Sequence, residues 1–220
     1  MVSYKRDYRG VFISLEGVDG SGKSSLIPLL EKALLENYGD KKEIVSTREP
    51  GGTPVGEAIR KVLFDFHETM ESETELLLFL AARAALRKTI LTDLYRGKIV
   101  ISDRYADSTF VYQGIFNDMD LREVFDLNSF ATKNLHPDIT FALLIPYEES
   151  VKRLTGRKNN GKYDLLPQDQ FQKIYAGYQT VNRMFPNRIF LIDGRKDQKE
   201  IIADMMTVIS KHKVGAFLAR

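Results

Sequence analysis

The chain contains no cysteine, which excludes disulfides and thiolate metal sites alike. That absence suits a reducing cytoplasm, the expected location. No apolar run approaches the roughly 20 residues that cross a bilayer, so no membrane partner is expected. The segment Met1 to Gly10 is polar and lacks the apolar core of a signal peptide. The formal net charge is only +2, so bulk charge gives no argument for binding nucleic acid. His67, His136 and His212 are far apart and show no metal-ligand spacing, which reads as structural or surface histidines. No internal repeat, low-complexity tract or linker divides the chain. What is present is ordinary for a globular protein: 220 residues, 43% hydrophobic and 28% charged. One domain over residues 1–220 is expected, long enough to bury a full core without staples.

Short apolar runs alternate with longer amphipathic ones, a pattern that predicts an α/β fold with a mostly parallel sheet. Strands are expected at 11–16, 43–47, 98–102, 139–145 and 188–192. Helices are expected from the first loop to about 37, then at 55–64, 73–95, 108–116, 121–134, 148–154, 168–184 and 199–212. Residues 155–162 are rich in Gly, Asn and Lys without apolar periodicity, which predicts a mobile loop.

One loop carries the most chemistry: Gly17-Val18-Asp19-Gly20-Ser21-Gly22-Lys23-Ser24. It stands between a strand pattern and a helix pattern, the context of a phosphate-binding P-loop. Glycines let backbone N–H groups converge on phosphate, and the helix turns its positive end to the same place. Lys23 reaches the β- and γ-phosphates of a nucleoside triphosphate, and the Ser24 hydroxyl can ligate Mg²⁺. Asp19 is out of place beside phosphate and calls for a separate explanation. No Asn-Lys-x-Asp run accompanies the loop, which argues against a guanine-reading switch protein.

Ligands of open α/β sheets sit outside the carboxyl ends of the strands. Arg48-Glu49-Pro50-Gly51-Gly52-Thr53 follows the second strand, Asp103-Arg104-Tyr105 the third, and Asp193-Gly194 the last. Arg48 and Arg104 either grip a second phosphorylated molecule or pair with Glu49 and Asp103; residue type alone leaves both open. Asp103, ending an apolar strand, has the position of an acid that supports Mg²⁺. Phe79 and Arg83 share a helix face and could stack on and hydrogen-bond a base, or be core and solvated face.

The runs Phe12-Ile13-Ser14-Leu15-Glu16-Gly17 with the P-loop, Thr47-Arg48-Glu49-Pro50-Gly51-Gly52-Thr53-Pro54-Val55-Gly56-Glu57, Leu77-Leu78-Phe79-Leu80-Ala81-Ala82-Arg83, Asp103-Arg104-Tyr105-Ala106-Asp107-Ser108 and Tyr112-Gln113-Gly114 resemble the thymidylate kinase family in order and spacing. Pro137-Asp138-Ile139-Thr140 resembles its fourth strand, so the likeness covers nearly the whole chain. The resemblance implies a P-loop nucleoside monophosphate kinase-like fold, a five-stranded parallel sheet flanked by helices, with a mobile lid at about 153–166. It implies that Asp19 bonds the deoxyribose 3′-hydroxyl and that Arg48 and Arg104 hold the substrate monophosphate. It further implies that Phe79 stacks on thymine, that Arg83 hydrogen-bonds the base, and that Ser108 and Gln113 shape its pocket. Tyr105 is expected to crowd the 2′ position, and Tyr163 to close over the sugar.

One subtype of that family has an arginine directly after the loop acid, where this chain has Gly20. The resemblance is therefore to the other subtype, in which lid residues reach the phosphates: Arg153, Arg157, Lys158 and Lys162 are available, and the expected catalytic residues are Lys23, Arg48 and Arg104 with the lid arginines Arg153 and Arg157, Arg157 first. Pro167 and Leu144 stand where the family often has acids. The implied reaction is in-line transfer of the ATP γ-phosphoryl group to dTMP, with Mg²⁺, in a homodimer. The alternatives are a related nucleoside monophosphate kinase with another base preference and an ATP-binding module without transfer.

Overall fold

A computed structural model describes residues 8–39, 42–66, 69–155 and 163–218. Strand β1, Val11–Gly17, is buried along its whole length, as befits a strand covered on both faces. It feeds α1 (Lys23–Tyr38), β2 (Ile44–Arg48), α2 (Pro54–Asp65), α3 (Ser72–Tyr95) and β3 (Ile99–Asp103). Then come α4 (Ala106–Thr109), a π-helical segment at Phe110–Phe116, α5 (Leu121–Thr132), β4 (Ile139–Leu144) and α6 (Tyr147–Leu154). The chain continues with α7 (Gln168–Met184), β5 (Ile189–Asp193), α8 (Gln198–Lys211) and α9 (Lys213–Leu218).

The strands form one parallel sheet in the order β2-β3-β1-β4-β5. On one face, Leu26, Leu30 and Leu34 of α1 pack with Ile13, Ile101, Met205 and Ile209. Their four-residue spacing places them on one helix stripe. On the other face, Leu76, Leu80, Tyr112, Val124 and Tyr178 meet Ala142 and Leu144. Helix starts follow local chemistry. Thr53 accepts from the Gly56 N–H at 3.0 Å with Pro54 next in the chain, and Asp197 with Glu200 forms a capping box.

Two segments differ from the expected elements. The helix expected at 108–116 begins earlier, at Ala106, and widens into π winding from Phe110. The wide turn brings two consecutive side chains, Tyr112 and Gln113, to one cavity, and such segments recur at functional sites. Beyond α8, α9 buries Val214 and Leu218 against the α1–α8 layer, where the sequence reads only as a short basic tail.

Candidate active site

Strand register builds the site. Arg48 is the partner of Asp103 in the β2–β3 ladder, and Asp103 is the partner of Leu15 in the β1–β3 ladder. The ends of β2 and β3 therefore lie beside the loop that leaves β1. At its entry Gly17 has φ +131°, and a Cβ there would fall 2.1 Å from the Leu143 carbonyl oxygen. Only glycine fits.

Lys23 bends over this loop, its Nζ donating to Gly17 O at 3.0 Å and Val18 O at 2.9 Å. Burial and the nearby Arg104 pull its pKa down to about 8, against the attraction of Asp19 and Asp103. Ser24 Oγ donates to Asp103 Oδ2 at 2.5 Å. This pair of hard oxygens beside the phosphate loop fits Mg²⁺, which takes one or two protein oxygens and fills its remaining positions with water and phosphate. Among the described residues no cluster of three or more His, Cys, Asp or Glu offers a metal a cage of its own.

The loop opens into a cavity of about 420 Å³ lined by Asp19, Lys23, Ser24, Arg48, Phe79, Arg83, Asp103, Arg104, Ser108, Gln113 and Tyr163. Arg104 holds a positive φ of 67°, rare outside glycine and typical of over-determined functional positions. Its Nη1 donates to Gly17 O, Ser108 Oγ and Tyr178 OH, each at 3.2 Å, and Nη2 pairs with Asp19. Burial pushes the Asp19 carboxyl up, yet Arg104 and Lys23 outweigh it and hold it below the usual carboxylate range. Arg48 is more loosely held: its Nη2 donates to both Glu57 oxygens, at 3.2 and 3.0 Å, and the side chain is 56% exposed.

Two residues with expected roles meet a different geometry. Tyr105 is fully buried, packs edge-on against Phe12 with centroids 4.9 Å apart, and does not line the cavity. The tyrosine that crowds Asp19 is Tyr112, whose hydroxyl donates to Asp19 Oδ2 at 3.3 Å. Arg83 reaches the cavity wall, where the protein holds its guanidinium on several sides. Nε donates to Glu49 Oε2 at 2.8 Å, Nη1 to Thr109 at 2.8 Å and Asn128 at 2.6 Å, and Nη2 to Tyr105 O at 3.1 Å, with Glu49 Oε2 its ion-pair partner at 2.6 Å.

Arg153 lines a second cavity, of about 800 Å³, that shares Gly20, Gly22 and Ser25 with the first. It donates to Glu149 Oε1 at 2.7 Å and Gly194 O at 3.2 Å, alongside Lys196 and Lys199 of that cavity. Arg157, Lys158 and Lys162, like His67, lie outside the described residues. Gly20 has φ +78°, and a Cβ there would sit 3.1 Å from the Ser150 carbonyl oxygen of α6, so any side chain at that position meets backbone strain and a tight contact.

The sequence reading missed Arg60, Glu75, Tyr112, Glu16 and Tyr178. Arg60 lines the main cavity, donates to Pro50 O at 3.0 Å and stacks over Phe64 at 4.6 Å. Burial and Arg48 depress its pKa. Glu75 accepts from Gln113 Nε2 at 2.6 Å and from the Tyr163 hydroxyl, which sets the Gln113 amide. Glu16 left a signal as an acid ending an otherwise apolar strand, and Tyr112 as part of the Tyr112-Gln113-Gly114 run.

A family model described as thymidylate kinase matches residues 15–205. A thymidylate kinase of Ligilactobacillus salivarius is 37% identical over 207 residues, spanning 91% of this chain and 98% of its own. One from Caldanaerobacter subterraneus is 38% identical over 212 residues, spanning 94% and 99%. The crystal structure of thymidylate kinase from Ehrlichia chaffeensis superposes with a TM-score of 0.73 at 29% identity, over 91% of this chain and 98% of that one. With the P-loop, Arg48, Arg104 and Phe79 lining one cavity, these likenesses place the chain in the thymidylate kinase family.

Proposed function

We propose that this protein transfers the γ-phosphoryl group of ATP to dTMP, giving ADP and dTDP. The observation that carries this reading is one cavity lined together by Lys23, Ser24 and Asp103 and by Arg48, Arg104 and Phe79. A donor phosphate site thus shares a cavity with an acceptor phosphate site, and transfer needs little beyond positioning and charge stabilisation. Ser24 and Asp103 would hold Mg²⁺, which would supply positive charge beside the triphosphate. The second cavity, flanked by Arg153, Lys196 and Lys199, is where we place the rest of ATP.

In the acceptor half, Phe79 stacks on thymine, Asp19 takes the 3′-hydroxyl, and Tyr112 beside it narrows the space at the sugar. Arg48 and Arg104 hold the monophosphate, and Arg60 adds a third guanidinium. Like charges converge at a cost that an anion removes. Ser108 and Gln113 shape the base pocket. Arg83 ties the Glu49 loop to α4 and α5 and, with Gln113, lines the wall where the base would sit.

We assign the cation that stabilises the transferring group to the lid at about 153–166, with Arg157 first, because Gly20 leaves the loop without an arginine. We read residues 1–220 as one kinase domain, acting in the cytoplasm where both nucleotides are available. Exposed Val55 and Val62 on α2 and Leu77 on the adjacent α3 provide an apolar surface for a homodimer.

The test is an ADP-release assay across dTMP, dUMP, AMP, GMP and CMP with product identification. We expect dTDP as the main product. A higher kcat/KM for another monophosphate would redirect the specificity, and ATP binding without dTDP would reduce the protein to a nucleotide-binding module.

A further inference from the structure

Glu16 is fully buried at the end of β1, one residue before the phosphate loop, yet it touches nothing that reacts. Its Oε1 accepts the backbone N–H groups of Tyr105 at 2.7 Å and Ser108 at 3.3 Å. Its Oε2 accepts the Ser108 hydroxyl at 2.5 Å and the Tyr178 hydroxyl at 3.3 Å. Both hydroxyl oxygens in turn lie 3.2 Å from Arg104 Nη1. One carboxylate therefore gathers α4, α7 and the guanidinium that follows β3.

A carboxylate only accepts hydrogen bonds, whereas a hydroxyl donates one and accepts others. We infer that Glu16 is a positioning residue for Arg104: its carboxylate draws the hydroxyl hydrogens of Ser108 and Tyr178 to itself, so that both oxygens face Arg104 as acceptors and hold its fork toward the acceptor phosphate. This rests on the reading of Arg104 as a phosphate grip. The arrangement needs the ionised acid, since a protonated Glu16 would donate to one hydroxyl and turn it around.

The charged and titratable groups around Glu16 act in both directions. Burial and Asp107 of α4 push its carboxyl up to about 7, while Arg104 opposes them. Lys23 of α1, Tyr178 of α7 and Arg188 ahead of β5 also feel its charge. The working form is thus populated as pH rises through neutrality, and dTMP turnover should rise with it.

Glu16→Gln is the informative change. Its amide oxygen can keep both backbone N–H bonds, but its NH₂ donates to the hydroxyls and turns their hydrogens toward Arg104. We expect kcat/KM for dTMP to fall about 10- to 100-fold, the charge-assisted share of one or two bonds. KM for ATP should change less than about 2-fold, on the argument that the donor half keeps its contacts. The rise of kcat/KM through pH 7 should flatten. By calorimetry the variant should lose affinity for dTMP but not for thymidine, which lacks the phosphate. Tyr178→Phe, which keeps the acid and removes one relay, should show a smaller loss of the same kind and fail to add to Glu16→Gln. If Glu16→Gln does not fold, Tyr178→Phe decides, and unchanged dTMP kinetics there overturn the inference. Arg104→Met separates the layers. If that variant keeps the wild-type preference for dTMP over thymidine, the phosphate-grip reading falls and this inference with it. If Arg104→Met loses the preference while Glu16→Gln keeps it, with an unaltered pH profile, Glu16 is structural only.

Discussion

Ser24 Oγ donates to Asp103 Oδ2 at 2.5 Å, joining the start of α1 to the end of β3 across 79 positions of chain. Two oxygens that separate elements bring together beside a phosphate loop are placed for an ion. Asp103→Asn should raise the Mg²⁺ concentration needed for half-maximal activity and lower kcat/KM for ATP, by about 10- to 100-fold in line with losses at metal-supporting residues. A Mg²⁺ titration of initial rates measures both. An unchanged titration curve would mean that the pair is only a strand-to-helix tie.

Arg60 is half-buried with Arg48 as its largest charged neighbour, and among the described residues no carboxylate lies within ion-pair distance of it. It donates one N–H to Pro50 O and so retains others for a ligand. Arg60→Met should raise KM for dTMP about 10-fold, the worth of roughly 1.5 kcal/mol for a hydrogen bond to a charged group. Steady-state kinetics with dTMP, beside binding of thymidine, would show whether the loss follows the phosphate. Equal losses for both ligands would make Arg60 a prop for the Pro50 loop.

Tyr105 and Tyr112 should separate cleanly. The Tyr105 hydroxyl is buried without a hydrogen-bond partner among the described residues. Tyr105→Phe should therefore hold or raise stability by up to about 1 kcal/mol, a Tm gain of about 2–4 °C for a chain of this size. Its discrimination between dTMP and the matching ribonucleotide should not change. Tyr112→Ala removes bulk next to Asp19 and should improve the ribonucleotide's kcat/KM relative to dTMP, by about 10-fold for a few lost apolar contacts. The reverse pattern would restore Tyr105 to the sugar.

Lys23 predicts a pH signature in stability. Burial first, then Arg104, lowers its folded pKa from 10.5 to about 8. A base with a depressed folded pKa favours folding above its unfolded pKa and loses that contribution as pH falls through the folded one. The Tm of Lys23→Met minus that of the wild type should therefore shift in the variant's favour as pH drops from about 10.5 to about 8. Differential scanning calorimetry at several pH values tests this. A difference independent of pH would argue that Lys23 is not charged against its surroundings.

The five strands and most of the helices were legible in the sequence, because a buried parallel strand must be apolar and a covering helix must carry its stripe. The phosphate loop was legible for the same local reason: glycines, Lys23 and Ser24 act through spacing within a few residues. The π winding after Thr109 had no such signature, since it follows from how Tyr112, Gln113 and Gly114 pack against other elements.

The sequence by itself determined the fold class, the loop that holds phosphate and the strand ends where Arg48, Asp103 and Arg104 would lie, because periodicity and turn chemistry are written in neighbouring residues. Only the tertiary structure decided which of those side chains are free to act. Arg83 proved bound to Glu49, Thr109, Tyr105 and Asn128. Tyr105 turned into the core and Tyr112 into the cavity, Arg153 faced the second cavity, Arg60 lined the main cavity, and Glu16 met Ser108. Each of those outcomes depends on partners brought close by strand register and helix packing, and a linear pattern does not encode which group a side chain meets across the sheet.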